Sequence, residues 1–250
     1  MKIVVIGGTG LIGSRLIEKL TEHGHEAVAA APSTGVNTLT GEGLAEALEG
    51  AQVVVDVSNS PSWERDAVWN FFTTSTSNVL AAEKKAGVGH HVAVSIVGSE
   101  KLPANDYFRA KIAQEELIEK SDVPYSLVHA TQFFEFVKGI ADEATRDDGV
   151  HVAPVRFQPI AGAEVSENVG KVAVGAPLNG RLEIAGPEQY QMDEFFRGVL
   201  KALGDPRTVV TDPHARYFGS ELEQGTLVPG DGATLGRIDY YEWLKTNQGK

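Results

Sequence analysis

Residues 2–20 read Lys2-Ile3-Val4-Val5-Ile6-Gly7-Gly8-Thr9-Gly10-Leu11-Ile12-Gly13-Ser14-Arg15-Leu16-Ile17-Glu18-Lys19-Leu20. The opening run is short, apolar and β-branched, the pattern of a strand buried on both faces of a parallel sheet. From Leu11 the apolar residues Leu11, Ile12, Leu16, Ile17 and Leu20 recur at helical spacing, and Gly24 closes that helix. Between the two lies a turn in which Gly7, Gly10 and Gly13 are spaced G-x-x-G-x-x-G. Gly7 permits the tight turn, Gly10 leaves room for a close approach to the backbone, and Gly13 lets helix and strand pack closely. The free N–H groups of such a turn and the positive end of the helix dipole suit a pyrophosphate. Gly7, Thr9, Gly10, Leu11, Ile12 and Gly13 are therefore the expected contacts of a dinucleotide.

Outward from this turn, strand and helix patterns alternate. Glu26 to Ala31 reads as a strand, Thr40 to Leu48 as a short helix, and Gln52 to Val57 as a buried strand. Trp69 to Ala86 is a long helical pattern ending at Gly87. His91 to Val97 is a strand, Asp106 to Lys120 a helix capped by Asn105 or Asp106, and Tyr125 to Ala130 a strand. Strands joined by helix-length crossovers make a parallel sheet covered on both faces. The expected class is α/β, a Rossmann-type doubly wound sheet, with residues 1–130 as the dinucleotide-binding core. After Thr131 the alternation loosens. Gly149 to Ile160 reads as an irregular strand region, Val165 to Val174 as helix, Arg181 to Ile184 as strand and Met192 to Leu203 as amphipathic helix. Residues 131–250 are expected to fold back as a small C-terminal substrate-side lobe, so that 1–250 make a single domain.

Composition narrows the function. The net charge of −12 repels a phosphate backbone, which argues against nucleic acid and anionic membranes as partners. There are no cysteines, so disulfides, thiolate zinc sites and cysteine nucleophiles are excluded. The apolar run Ile3–Ile6 is too short for a signal peptide, and no stretch has the length of a membrane span. The expectation is a cytoplasmic protein with a small-molecule substrate; a homo-oligomer stays open.

A carboxylate at the end of the second strand would bind the ribose 2′-hydroxyl of NAD. Here that strand ends Ala29-Ala30-Ala31 and continues Pro32-Ser33-Thr34-Gly35, with no acid and no arginine. Ser33, Thr34 and nearby N–H groups accommodate a 2′-phosphate, so NADP(H) is favoured over NAD(H); the alternative is a plain polar loop.

Tyr107-Phe108-Arg109-Ala110-Lys111 is Y-x-x-x-K, which puts tyrosine and lysine on one helix face. A lysine beside a phenol lowers its pKa, and the phenol can pass a proton to a carbonyl oxygen. Lys111 also has donors for the nicotinamide ribose. Ser95, at the end of the preceding strand, is the first candidate to orient that oxygen, and Ser99 the second. Tyr241 to Lys245 repeats the spacing but follows no strand and no serine, and reads as helix surface and aromatic packing.

The glycine turn Gly7–Gly13, Asn59 after Val53-Val54-Val55, Tyr107–Lys111 and Ala130-Thr131-Gln132-Phe133-Phe134-Glu135-Phe136 together resemble an atypical short-chain dehydrogenase/reductase of the NmrA-like, NAD(P)H-binding group. The likeness is strongest over residues 1–140. It implies an NADP-type cofactor, with Asn59 and Ser60 near its adenosine side, Ser95 and Val97 near the nicotinamide, and residues 130–136 over the substrate side. It also implies either a reductase of quinones, enones or other carbonyls, or a protein that binds dinucleotide only to sense redox state. The sequence lacks the group's basic residue after the second strand, and it keeps both Tyr107 and Lys111.

Gln132, Phe133 and Phe134 are candidate substrate contacts; the rings serve equally well as core. Arg156 offers a further polar contact, and His129 ends a strand on the ligand side. No metal site is expected: His90 and His91 point to opposite faces of one strand, and H-E-x-x-H is absent. G-x-S-x-G is absent as well, so a serine hydrolase is not supported.

Overall fold

A computed structural model describes residues 1–247. Strands β1 (Lys2–Ile6), β2 (Glu26–Ala30), β3 (Val53–Asp56), β4 (His90–Ile96), β5 (Tyr125–Ala130), β6 (Gly180–Ala185) and β7 (Thr234–Leu235) form one sheet. Its order is β7-β6-β5-β4-β3-β1-β2, and every neighbouring pair is parallel. The chain folds as the Rossmann-type α/β protein its sequence patterns require. The order reverses at β1 and β3, which opens a crevice at the carboxyl ends of those strands, where such sheets bind ligands.

The sheet is covered on both faces. Helix α1 (Leu11–Glu22) buries Ile12, Leu16 and Leu20, and α6 (Gly162–Val174) lies beside it, burying Val165 and Val169. Each such side chain, fully buried, contributes about 1.5–3 kcal/mol. The other face carries α2 (Leu44–Leu48), α3 (Arg65–Ala86) and α4 (Asp106–Glu119). Helix α2 is shorter than the expected Thr40–Leu48, because Asn37 Oδ1 accepts from the N–H groups of Leu39 and Thr40 and holds them in a turn. Asn105, not Asp106, caps α4: its Oδ1 accepts from the N–H of Tyr107 at 2.9 Å and of Phe108 at 3.2 Å.

Beyond β5 lie α5 (Val137–Glu143), α7 (Met192–Leu203), α8 (Tyr240–Asn247) and short strand pairs. The irregular region 149–160 contains the strands Gly149–Val152 and Arg156–Phe157. An aromatic core joins Phe134, Phe157, Phe195, Phe196 and Tyr240. Among the described residues no helix is long and apolar enough to cross a membrane.

Candidate functional site

The glycine turn has the geometry its spacing requires. Gly7 has φ +78°, and a Cβ there would lie 2.8 Å from Ser58 Cα. A Cβ on Gly13 would lie 2.2 Å from the Gly7 carbonyl oxygen, so helix and turn touch backbone to backbone. Gly10 differs: its Cβ would meet only the Gly7 oxygen, at 3.3 Å, with the space in front open. Gly10 is also the residue preceding the first turn of α1, and it brings no side chain to cap that turn. A cradle that a Cβ would begin to fill, at an uncapped helix N-terminus, fits a pyrophosphate.

At the end of β2 the polar turn is only partly free. Thr34 Oγ1 accepts from the Ala31 N–H at 2.9 Å and donates toward the carbonyls of Ala29 and Ala31, both at 3.0 Å. Its hydroxyl closes its own turn and is not free for a 2′-phosphate. Ser33 is exposed.

Tyr107 lies one residue into α4, half-buried among rings. Trp63 is 5.3 Å away between centroids, Phe72 5.7 Å and Phe108 5.9 Å. Its hydroxyl donates to Asn59 Oδ1 at 3.1 Å. Asn59 therefore stands beside Tyr107; the resemblance put it near the adenosine side. The Ser60 hydroxyl donates to the Ser62 carbonyl at 2.8 Å.

Lys111 makes no bond to the phenol among the described residues. Its ammonium donates to the Val94 carbonyl at 2.8 Å and to Gln114 Oε1, and lies 4.7 Å from the centre of the Phe72 ring. With that charge engaged elsewhere, burial pushes the Tyr107 pKa up to about 12 against a smaller opposing effect of the Asn59 bond. The expected lowering is reversed. Burial also brings Lys111 down to about 8, although Asp56 and Glu115 favour its charged form.

Ser95 is buried, and its hydroxyl donates to Glu115 Oε1. Glu115 also faces His129 and Arg181, each at 3.3 Å. Burial alone would raise its pKa; these partners outweigh that and hold it low. So Ser95, His129 and Glu115 form a buried cluster beneath α4, and the structure does not join Ser95 to Tyr107. Ser99 is buried too.

Of the expected substrate contacts, Phe134 is core, edge-on to Tyr240 at 5.0 Å and to Trp243 at 5.5 Å. Phe133 is half-buried and stacks on exposed Phe136 at 5.6 Å. Gln132 is buried at the end of β5, and neither atom of its amide has a partner among the described residues. Segments from the C-terminal part cover the start of α4: Asn105 Nδ2 donates to the Phe218 carbonyl at 2.6 Å, and Tyr217 stacks on Phe108 at 6.4 Å. Arg156 lies elsewhere, lining a cleft of about 380 Å³ with Gln189, Gln191, Glu194 and Tyr241. In the second Y-x-x-x-K match, Lys245 pairs with Glu242 on the surface, and the Tyr241 ring packs over Gly198.

Sequence reading missed Asp56 and Gln114. A carboxylate ending the apolar strand Val53–Asp56 was one signal, and a glutamine three residues after Lys111 on the same helical face was another.

A reversing parallel sheet, a glycine cradle at its switch point and a tyrosine across the crevice define a dinucleotide-binding α/β protein. The NAD(P)H-binding family model matches residues 7–148, more than half the chain. The chain belongs to that family. Two curated relatives are similar over 153 residues: the photosystem II assembly factor Ycf39 of Synechocystis sp., 23% identical, and that of Cyanophora paradoxa, 26% identical. The match covers 56% of this chain in both cases, and 47% and 48% of the relatives; the chain spans about half the length of the curated relatives it matches. Among solved structures, a short-chain dehydrogenase/reductase superfamily protein from Agrobacterium tumefaciens with bound NAD is similar at TM-score 0.74 and 15% identity, covering 98% of this chain and 95% of the other. The dTDP-4-dehydrorhamnose reductase of Bacillus anthracis in complex with NADP has TM-score 0.68 and 15% identity, over 99% and 92%. An NADPH-dependent quinone oxidoreductase from Escherichia coli has TM-score 0.65 and 18% identity, over 85% and 78%. These likenesses concern the fold.

Proposed function

We propose that this chain is an NADPH-dependent reductase of a small carbonyl, quinone or enone, working in the cytoplasm. Gly7, Thr9, Gly10, Leu11, Ile12 and Gly13 would hold the pyrophosphate, and Ser33 the adenosine ribose, where the missing carboxylate favours NADP(H). When bound, the nicotinamide supplies hydride. The observation that carries the reading is the Tyr107–Asn59 hydrogen bond, because the Asn59 loop also walls the glycine turn.

The chain's own part is to hold a proton at the Tyr107 hydroxyl. With the pKa at about 12, that proton stays in place at neutral pH, and the bond to Asn59 fixes where it points. A substrate oxygen gaining negative charge is a stronger acceptor than the Asn59 amide oxygen, so the O–H turns to it. Asn59 Nδ2 has no partner among the described residues, and its donors can orient the same oxygen, the task first given to Ser95. Lys111 acts from below as a buried positive charge rather than as a contact. Gln132 and Phe133 would meet the substrate.

The test is Tyr107→Phe against a panel of quinones, enones and aldehydes. NADPH oxidation should fall by about 10²–10⁴-fold in kcat while NADPH still binds. Tyr241→Phe, in the second match, should change little. Equal turnover by wild type and Tyr107→Phe would overturn the assignment.

One observation favours a second reading, a dinucleotide-binding redox sensor that turns nothing over: Ser95 and Lys111 are both bonded inward. It predicts no turnover across the panel, with NADPH and NADP⁺ bound at different affinities.

A further inference from the structure

We infer that Asp56 is the positioning residue of this site: through Ser58 and Gln114 it locks the loop carrying Asn59 to the helix carrying Tyr107. Asp56 ends β3 and is buried. Its two oxygens serve two arms. Oδ1 accepts from the Ser58 N–H at 2.9 Å and from the Ser58 hydroxyl at 2.6 Å. Oδ2 accepts from Gln114 Nε2 at 3.1 Å.

Each arm ends at the site. On the loop arm, Ser58 lies against Gly7 of the glycine turn, and the next residue, Asn59, accepts from Tyr107. On the helix arm, Gln114 accepts from Lys111 through Oε1, and both residues share α4 with Tyr107. The amide of Gln114 has one orientation that serves both neighbours, nitrogen to the carboxylate and oxygen to the ammonium. The result is a closed ring: Asp56, Ser58, Asn59, Tyr107, the first turns of α4, Lys111, Gln114 and back to Asp56. Asp56 also lies close enough to the buried Lys111 to favour its charged form, as does Glu115. His91, from β4, also feels the Asp56 charge, but its own bond goes to Glu83.

A ring has a property that separate bonds lack. Opening it at one point releases the register between loop and helix, so a second opening adds little. The loop is the wall of the pyrophosphate turn, so the register should be read out in dinucleotide affinity. The inference rests on the dinucleotide lying over Gly7–Gly13.

The experiment is a double-mutant cycle on NADPH affinity, measured by calorimetry, with Ser58→Ala on the loop arm and Gln114→Met on the helix arm. These two side chains touch Asp56 but not each other. Each single variant is expected to weaken NADPH roughly tenfold, and the double variant no more than the weaker single. Multiplying effects, on the order of a hundredfold in the double variant, would overturn the ring. So would singles that melt at a lower temperature yet bind NADPH as wild type does, because a clamp serving only the fold behaves that way. Should Gln114→Met not fold, Asp56→Asn replaces it: one oxygen still accepts from Ser58, while an amide nitrogen faces the Gln114 nitrogen. Wild-type affinity in that variant would equally overturn the inference. A wild type that binds neither NADPH nor NADH would overturn the cofactor reading as well, which separates the two failures.

Discussion

Two glycines three residues apart in one turn should fail in opposite ways. At Gly10 the backbone is extended, φ −85° and ψ −174°, a conformation that valine adopts readily, and a Cβ meets only one carbonyl oxygen at 3.3 Å. Gly10→Val should therefore fold, within about 1 kcal/mol of wild type. Its isopropyl group would stand where a pyrophosphate meets the N–H groups. Losing two hydrogen bonds to a charged group, at about 1.5–3 kcal/mol each, weakens binding by at least about 100-fold. At Gly13 a Cβ would lie 2.2 Å from the Gly7 oxygen and 2.7 Å from Gly8 Cα, both backbone atoms that cannot rotate away. Overpacking of that kind costs about 1–3 kcal/mol, and the better helix propensity of alanine returns at most about 1 kcal/mol. A net loss of about 2 kcal/mol lowers Tm by roughly 4–8 °C at this chain length. Thermal unfolding and calorimetric titration with NADPH, run on both variants, separate the two effects. Gly10→Val with wild-type melting and NADPH affinity within about threefold of wild type would refute the placement of the pyrophosphate.

Other outcomes are equally open to measurement. Ser33→Asp should reverse a preference for NADPH over NADH, since the new carboxylate repels a 2′-phosphate and accepts from a 2′-hydroxyl; equal affinities in both proteins would refute that location of the ribose. Burial alone would lower the pKa of His91, but Glu83 at 2.7 Å outweighs it and holds the value above the usual 6.5. The stability from this pair is full below pH 6.5 and is lost as pH rises through the raised value. In Glu83→Gln the burial effect prevails, so the sign reverses and stability is lost as pH falls below the usual value. Thermal melts from about pH 5.5 to about pH 8.5 check this, and parallel slopes in the two proteins would refute it.

The sheet was legible in the sequence wherever local pattern and tertiary role agree. Residues 53–55 and 3–6 are apolar because both faces are covered, and Met192–Leu203 alternates at helical spacing because one face meets the aromatic core. The strand Thr234–Leu235 was not legible: two exposed residues in a Gly-rich tail carry no period, and only pairing with Ile184–Ala185 makes them a strand. At the site, the glycine turn was readable because its chemistry is backbone chemistry at fixed spacing. The environment of Tyr107 was not. Spacing places Lys111 on the same helical face, but the direction of its ammonium is decided by Val94 and Gln114. Likewise the fate of Ser95 depends on Glu115, twenty residues away on another element.

The order of strands also sets how this protein must be made. Strands β1 to β5 lie within residues 2–130, each reached through one crossover, but β6, which covers the outer edge of β5, comes from residues 180–185. On a ribosome adding about 5–20 residues per second, the β5 edge stays open for several seconds after it is synthesised. Val128 on that strand is fully buried in a cluster with Ile160, Val165, Val169 and Ile184, all of which are synthesised after it. An open edge flanked by apolar side chains is a template for another chain. Yield of native protein should therefore depend on how crowded the nascent chains are, and slower expression at lower temperature should favour the native fold over aggregates.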